Sequence, residues 1–170
     1  MRNEQSNLHK STWRRLAVAA AISGAFALTA TAANAGECPA DKKVADGQGQ
    51  KMSTVAAKDV TDVVRATTDL AKEPAAIKGR QFRLRQLDIK AGGIVPWHSH
   101  NERPAMIYVV SGEVVEYASN CAVPIVHKAG DVAAERSGTS HWWQNTSNAT
   151  AVLISVDLLP VADKMDMHMM

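Results

Sequence analysis

From Arg80 to Leu159 the chain is a succession of short extended segments, each closed by a glycine or polar turn, and none sustains a helical period. RQFRLRQLDIK alternates around Phe82 and Leu84, then Leu87 and Ile89, before Gly92-Gly93 breaks it. IVPWHSH follows, extended, with Pro96 marking an edge or bulge. MIYVV and EVVEY flank Ser111-Gly112, a hairpin signal. VPIVHK, DVAAE and HWWQN come next, separated by Ala129-Gly130 and Ser137-Gly138-Thr139. In ATAVLISVDLL, Val152, Ile154, Val156 and Leu158 form one apolar face. Strand signals recurring at roughly eight-to-twelve-residue spacing argue for an all-β sandwich or barrel.

The ends of the chain read differently. Arg14-Arg15 close a positive region, a charge-free run of alanine and leucine follows, and Ala33-Asn34-Ala35 makes a small-residue cleavage pattern. Residues 1–35 therefore read as a secretory signal peptide. The arginine pair also fits twin-arginine export, and the expected location is periplasmic or secreted. Residues 36–58 are polar and glycine-containing, a tail before the barrel domain at 59–160. The VTDVVRATTDL segment favours strand through its β-branched content. Residues 161–170 form a methionine-rich tail around His168, a frayed end or a soft-metal ligand set.

Charge narrows the partners. The leader holds four of the 19 basic residues and one of the 17 acidic ones, which leaves 15 against 16. The remainder is nearly neutral, which argues against nucleic acid, and no later apolar run is long enough to span a bilayer. Cys38 and Cys121 are the only cysteines, and export to an oxidising compartment permits one disulfide between them. There is no nucleophile elbow, P-loop or dinucleotide fingerprint.

The chemistry gathers at PWHSHNERPA. His98 and His100 are one residue apart, so on a strand they project from one face. Gly92 lies six residues before His98, and Gly112 lies twelve after His100. Further on, Gly130, Gly138, His141 and Asn145 have the spacing G-x5-R-x-G-x2-H-x3-N.

With these two motifs in this order, the sequence resembles the cupin superfamily. Its motifs are G-x5-H-x-H-x3-4-E-x6-G and G-x5-P-x-G-x2-H-x3-N, here with Arg136 in place of the proline. The resemblance implies a double-stranded β-helix, or jelly roll, with a metal at its mouth. It implies His98, His100 and His141 as ligands of a divalent transition metal: Fe, Cu, Ni, Mn or Zn. The departure is the glutamate. Counting back from Gly112 places Ala105 at its position. Glu102 lies three residues earlier and is the nearest candidate for a general base or a substitute ligand. Three neutral imidazoles leave the cation its full charge, which favours anionic partners.

Strand parity supplies the pocket. Ile107 and Val109 share the direction of Ala105, and Trp143 and Asn145 that of His141, while Tyr108 and Trp142 point away. Arg103 is either a carboxylate clamp at the rim or a solvated charge, and His127 a structural or surface histidine. Two functions follow. One is an exported metal-dependent cupin acting as an oxygenase on a small anionic or phenolic molecule. The other is a non-catalytic binder of a metal or small ligand. A homodimer is expected, with VTDVVRATTDL free to add a strand to a partner's sheet edge.

Overall fold

A computed structural model describes residues 36–161. The expected signal peptide and all but the first residue of the methionine-rich tail lie outside the described residues. Within them the chain forms strands β1 (Lys58–Asp69), β2 (Arg80–Ser99), β3 (Ala105–Ser111), β4 (Glu113–Ala118), β5 (Ile125–Lys128), β6 (Val132–Glu135), β7 (Ser140–Gln144) and β8 (Ala151–Pro160). Every pairing is antiparallel, in the order β5-β4-β7-β2-β8-β3-β6, with β1 added to β2. This is a nearly closed barrel of the double-stranded β-helix type. No helix among the described residues is long and apolar enough to cross a membrane.

β2 is the spine. Its first half, Arg80 to Ile89, pairs with β8, and its end, Ile94 to Ser99, pairs with β7. The Gly92-Gly93 pair bends the strand rather than ending it. Gly92 adopts φ +74°, a conformation that costs glycine little. A Cβ on Gly93 would stand 2.8 Å from the Ile89 side chain. One strand thus serves both halves of the barrel and delivers His98 to β7.

Ser111-Gly112 is not a hairpin. β3 pairs with β6 and β8, whereas β4 pairs with β5 and β7. The tight turn carries the chain across the barrel instead of folding it back. Gly112 is required there: its φ is +79°, and a Cβ would lie 2.7 Å from the Ala151 backbone. Likewise, VTDVVRATTDL is a strand, but it pairs with β2 of its own chain.

The core holds Leu87, Ile89, Ile107, Val109, Val114, Trp143 and Leu153. Two apolar stripes of the sequence face the other way. Phe82 is exposed and Val152, Ile154, Val156 and Leu158 are only half-buried, while Leu153, Ser155 and Asp157 point inward. The inward face of β2 carries Arg83 and Arg85 before Leu87 and Ile89. A buried charge needs a partner, and Asp157 supplies it. Its carboxylate accepts Arg83 Nε at 3.0 Å and Nη2 at 2.8 Å, with Arg103 Nη1 also at 2.8 Å. Arg103 is therefore a partner of the interior network, neither a rim clamp nor a solvated charge.

Residues 36–57 lack regular strands but do not hang free as a tail. Lys43 bridges to Cys121, and the Val44, Gly49 and Gln50 amides donate to carbonyls at Asn120, Ser119 and Ala118. Cys38 and Cys121 form the disulfide that fixes this segment beside Ala118 and Ile125.

Candidate metal centre

β2 and β7 bring the histidines together. His98 sits opposite His141 in the strand register, and His100 follows just past the end of β2. The ring centroids are 4.6 to 4.9 Å apart. His141 Nε2 lies 3.0 Å from His100 Nε2 and 3.1 Å from His98 Nε2.

The other ring nitrogens settle the tautomers. His98 Nδ1 donates to the Pro96 carbonyl at 2.9 Å, and His100 Nδ1 to the Arg103 carbonyl at 2.7 Å. His141 Nδ1 donates to Glu116 Oε1 at 2.5 Å. Each is a proton donor facing an obligate acceptor, so in the neutral rings all three Nε2 atoms carry lone pairs. Lone pairs on His98 and His100 facing His141 Nε2 at 3.1 and 3.0 Å repel one another unless a cation, a metal ion or a proton on His141, stands among them. Ligands held at about 2.0–2.2 Å from a transition metal are themselves roughly 3 Å apart. The described residues thus present a three-histidine group whose geometry and tautomers are compatible with a metal ion.

Electrostatics keeps His98 and His100 in ligand form and favours positive charge at His141. Burial, the His141 charge and Arg103 hold His98 down at about 2 and His100 at about 4, so both are neutral at ordinary pH. Burial opposes charge on His141 as well, but Glu135 and Glu116 outweigh it and hold His141 above the usual imidazole value. Burial likewise works against ionisation of Glu116, yet His141 and His127 pull it down to about 2. That carboxylate lies on β4 and bridges the two rings, accepting His127 Nε2 at 2.8 Å. A carboxylate on the far nitrogen of a ligand histidine orients the ring and raises its basicity. His127, fully buried, stacks on Trp143 at 4.5 Å. It belongs to the structure around the site.

Glu135 is a buried acid at the centre that the sequence motifs do not point to. It ends β6 with its side chain 5% exposed. Its Oε2 lies 3.1 Å from His100 Nε2 and its Oε1 3.3 Å from His141 Nε2. Burial, reinforced by the nearby Glu116 charge, pushes it up to about 7. Parity offered a signal: in DVAAE, small Ala133 and then Glu135 fall on one face, and an acid on the inward face of a short strand is unusual.

Glu102 is not at the centre. Its side chain is 82% exposed and faces Arg80 across 3.8 Å. Ile107, Val109 and Trp143 point inward as expected and belong to the hydrophobic core, with Trp143 edge-on to His141. Trp142 stacks outside on Tyr117. Asn145 is buried, but its amide is spent on the Ile89 and Ala149 carbonyls, tying down the turn after β7 rather than facing a ligand. A cavity of about 250 Å³ adjoins the centre, lined by Glu116, Ala133 and Glu135 and covered by the Gly36–Val44 segment.

The sequence profile described as "Cupin domain" matches residues 85–157. The chain is 34% identical over 90 residues to the "Oxalate-binding protein" of Thermotoga maritima, an alignment that spans 53% of this chain and 71% of that protein. It is 26% identical over 122 residues to "Germin-like protein 8-14" of Oryza sativa subsp. japonica, spanning 68% of this chain and 57% of the rice protein. Among solved structures it is similar to an uncharacterised conserved protein with a double-stranded β-helix domain from Klebsiella pneumoniae, at TM-score 0.49 and 19% identity, covering 66% of this chain and 84% of that one.

Proposed function

The chain belongs to the cupin superfamily, and from that premise we propose that it is an exported cupin holding a divalent transition metal through His98, His100 and His141, with a small anionic molecule as its ligand or substrate. The observation that carries this is the convergence of three Nε2 atoms, with an acceptor beside the opposite nitrogen of each ring. The metal supplies Lewis acidity and a site for an anion or O2. The chain's own residues do the rest. Glu116 holds His141 in register, the Pro96 and Arg103 carbonyls do the same for the other two rings, and Trp143 packs edge-on against His141.

In its catalytic form the protein is an oxygenase acting on a small anionic or phenolic molecule. A second reading, a non-catalytic binder, is favoured by the name of the Thermotoga relative, an oxalate-binding protein. The exposed apolar residues Met106, Tyr108, Val110 and Val132 on β3 and β6 suit a homodimer face.

The experiment is titration of metal-loaded protein with oxalate by calorimetry, followed by oxygen-electrode assays with small carboxylates and phenols. Oxalate binding that needs the metal and disappears in His141→Ala is expected. Oxygen uptake lost in the same variant selects the oxygenase. Absence of any metal-dependent anion binding overturns the proposal.

A further inference from the structure

We propose that Glu135 is the fourth protein ligand of the metal centre, a carboxylate relocated from β3 to the neighbouring strand β6. The inference rests on the three-histidine reading above. Its basis is register. Ala105, which stands where the motif's glutamate would be, pairs directly with Glu135 across β3 and β6. Side chains of directly opposed residues leave the sheet on the same face, about 4.5–5.5 Å apart at Cβ. A carboxylate on β6 therefore enters the same space as one on β3, provided the β3 residue is small. Ala105 is small and buried.

The other neighbour of Ala105 makes the choice specific. On its β8 side Ala105 pairs with Asp157, so acids flank it on both strands. Asp157 is fully buried and consumed by Arg83 and Arg103, each at 2.8 Å. Its charge belongs to the arginine network. Glu135 has no such partner among the described residues. Its two oxygens lie 3.1 and 3.3 Å from the Nε2 atoms of His100 and His141, separations close to those among the histidines themselves. A metal ion bound by these rings would meet these oxygens at about the same distance as the ring nitrogens. Both of its oxygens are acceptors, which suits a hard oxygen contact beside three imidazoles.

Glu135 thus converts a neutral ligand set into one carrying a single negative charge. A three-histidine, one-carboxylate set is restored although the sequence lacks the carboxylate at its motif position. The local sequence permits this because β6 is short, ends at Glu135, and has only Ala133 before it on the inward face.

Cobalt(II) alone is the probe, read by titration calorimetry and by its visible absorption, on wild type, Glu135→Gln, Glu135→Ala and the double variant His98→Ala/His100→Ala, with folding checked by circular dichroism. Both Glu135 variants are expected to bind cobalt at least tenfold more weakly, with an altered visible spectrum reporting the lost oxygen donor. The isosteric glutamine keeps the packing if alanine disturbs it. A loss below tenfold, or an unchanged spectrum, in the folded glutamine variant overturns the assignment of Glu135 while leaving the histidine site standing. Wild-type affinity in the double histidine variant overturns the three-histidine reading itself, and this inference with it.

Discussion

Replacing Asp157 with asparagine removes one negative charge and almost no volume, and it should cost more than any surface change in the molecule. The Asp157 side chain is 0% exposed, and the arginines around it, Arg83, Arg85 and Arg103, are 11%, 9% and 18% exposed. Arg83 is bidentate on the carboxylate, Arg103 adds a third close contact, and Arg85 Nη2 stands at 3.5 Å. Asp62 is the other acid in the cluster, paired with Arg85. Two acids against three arginines become one against three. Breaking a buried pair by removing one partner costs about 3–5 kcal/mol. Against a domain stability of about 5–15 kcal/mol, that is a large fraction. Urea unfolding followed by circular dichroism measures it.

Acid should erase part of the same contribution. Burial opposes ionisation of Asp157, but the Arg83 hydrogen bonds and charge, then Arg85 and Arg103, hold its carboxyl below the ordinary value. A depressed folded-state value stabilises above the unfolded pKa, about 3.9, and is lost as pH falls through the folded one. Wild type should therefore lose part of its advantage over Asp157→Asn below about pH 4. The Arg103 carbonyl also orients His100, so the variant should bind metal more weakly. A change under 1 kcal/mol at neutral pH would refute the reasoning.

Other perturbations probe separate links. Glu116→Gln keeps the shape that contacts His141 and His127 but removes the charge behind the ligand ring, so metal affinity should fall about 10–100-fold by calorimetry. An unchanged affinity would mean that the Glu116 charge does not tune His141. Reducing the Cys38–Cys121 bond opens a loop with a sequence separation of 83, worth about 4–5 kcal/mol on chain-entropy grounds. A melting temperature unmoved by reductant would contradict the docking of the N-terminal segment. Gly112→Ala puts a Cβ 2.7 Å from the Ala151 backbone at φ +79°, and thermal unfolding should show a loss well above the usual cost of a surface substitution, about 0.5 kcal/mol.

Much of this molecule is legible in its sequence. Period-two alternation marks the strands, and the family resemblance carried by the histidine and glycine motifs implies that His98, His100 and His141 meet. Other readings failed for identifiable reasons. A turn signal says that the chain reverses or crosses, not which strand it meets next, so Gly112 looked like a hairpin when it is a crossing between the two halves of the barrel. Apolar alternation says that one face is apolar, not that it is the inner one. On β8 the apolar stripe is only half-buried, and the inner face carries Ser155 and Asp157, because the arginines of β2 oppose it. Glu135 escaped notice because its meaning lies in its pairing with Ala105. That register spans two strands, so the parity of DVAAE can mark Glu135 as an inward acid but not name the residue it faces. Glu102 drew attention by proximity in sequence, and proximity in sequence is a poor guide at a strand end.

The central claim is that the three Nε2 atoms converge on a metal. Elemental analysis of the protein purified without added metal, alongside His98→Ala/His100→Ala, tests it most directly. The expected result is a single transition metal at close to one equivalent per chain in wild type and only background in the double variant. A stoichiometric metal that persists when both histidines are alanine, or a folded wild type that neither carries nor takes up any transition metal, would contradict the account.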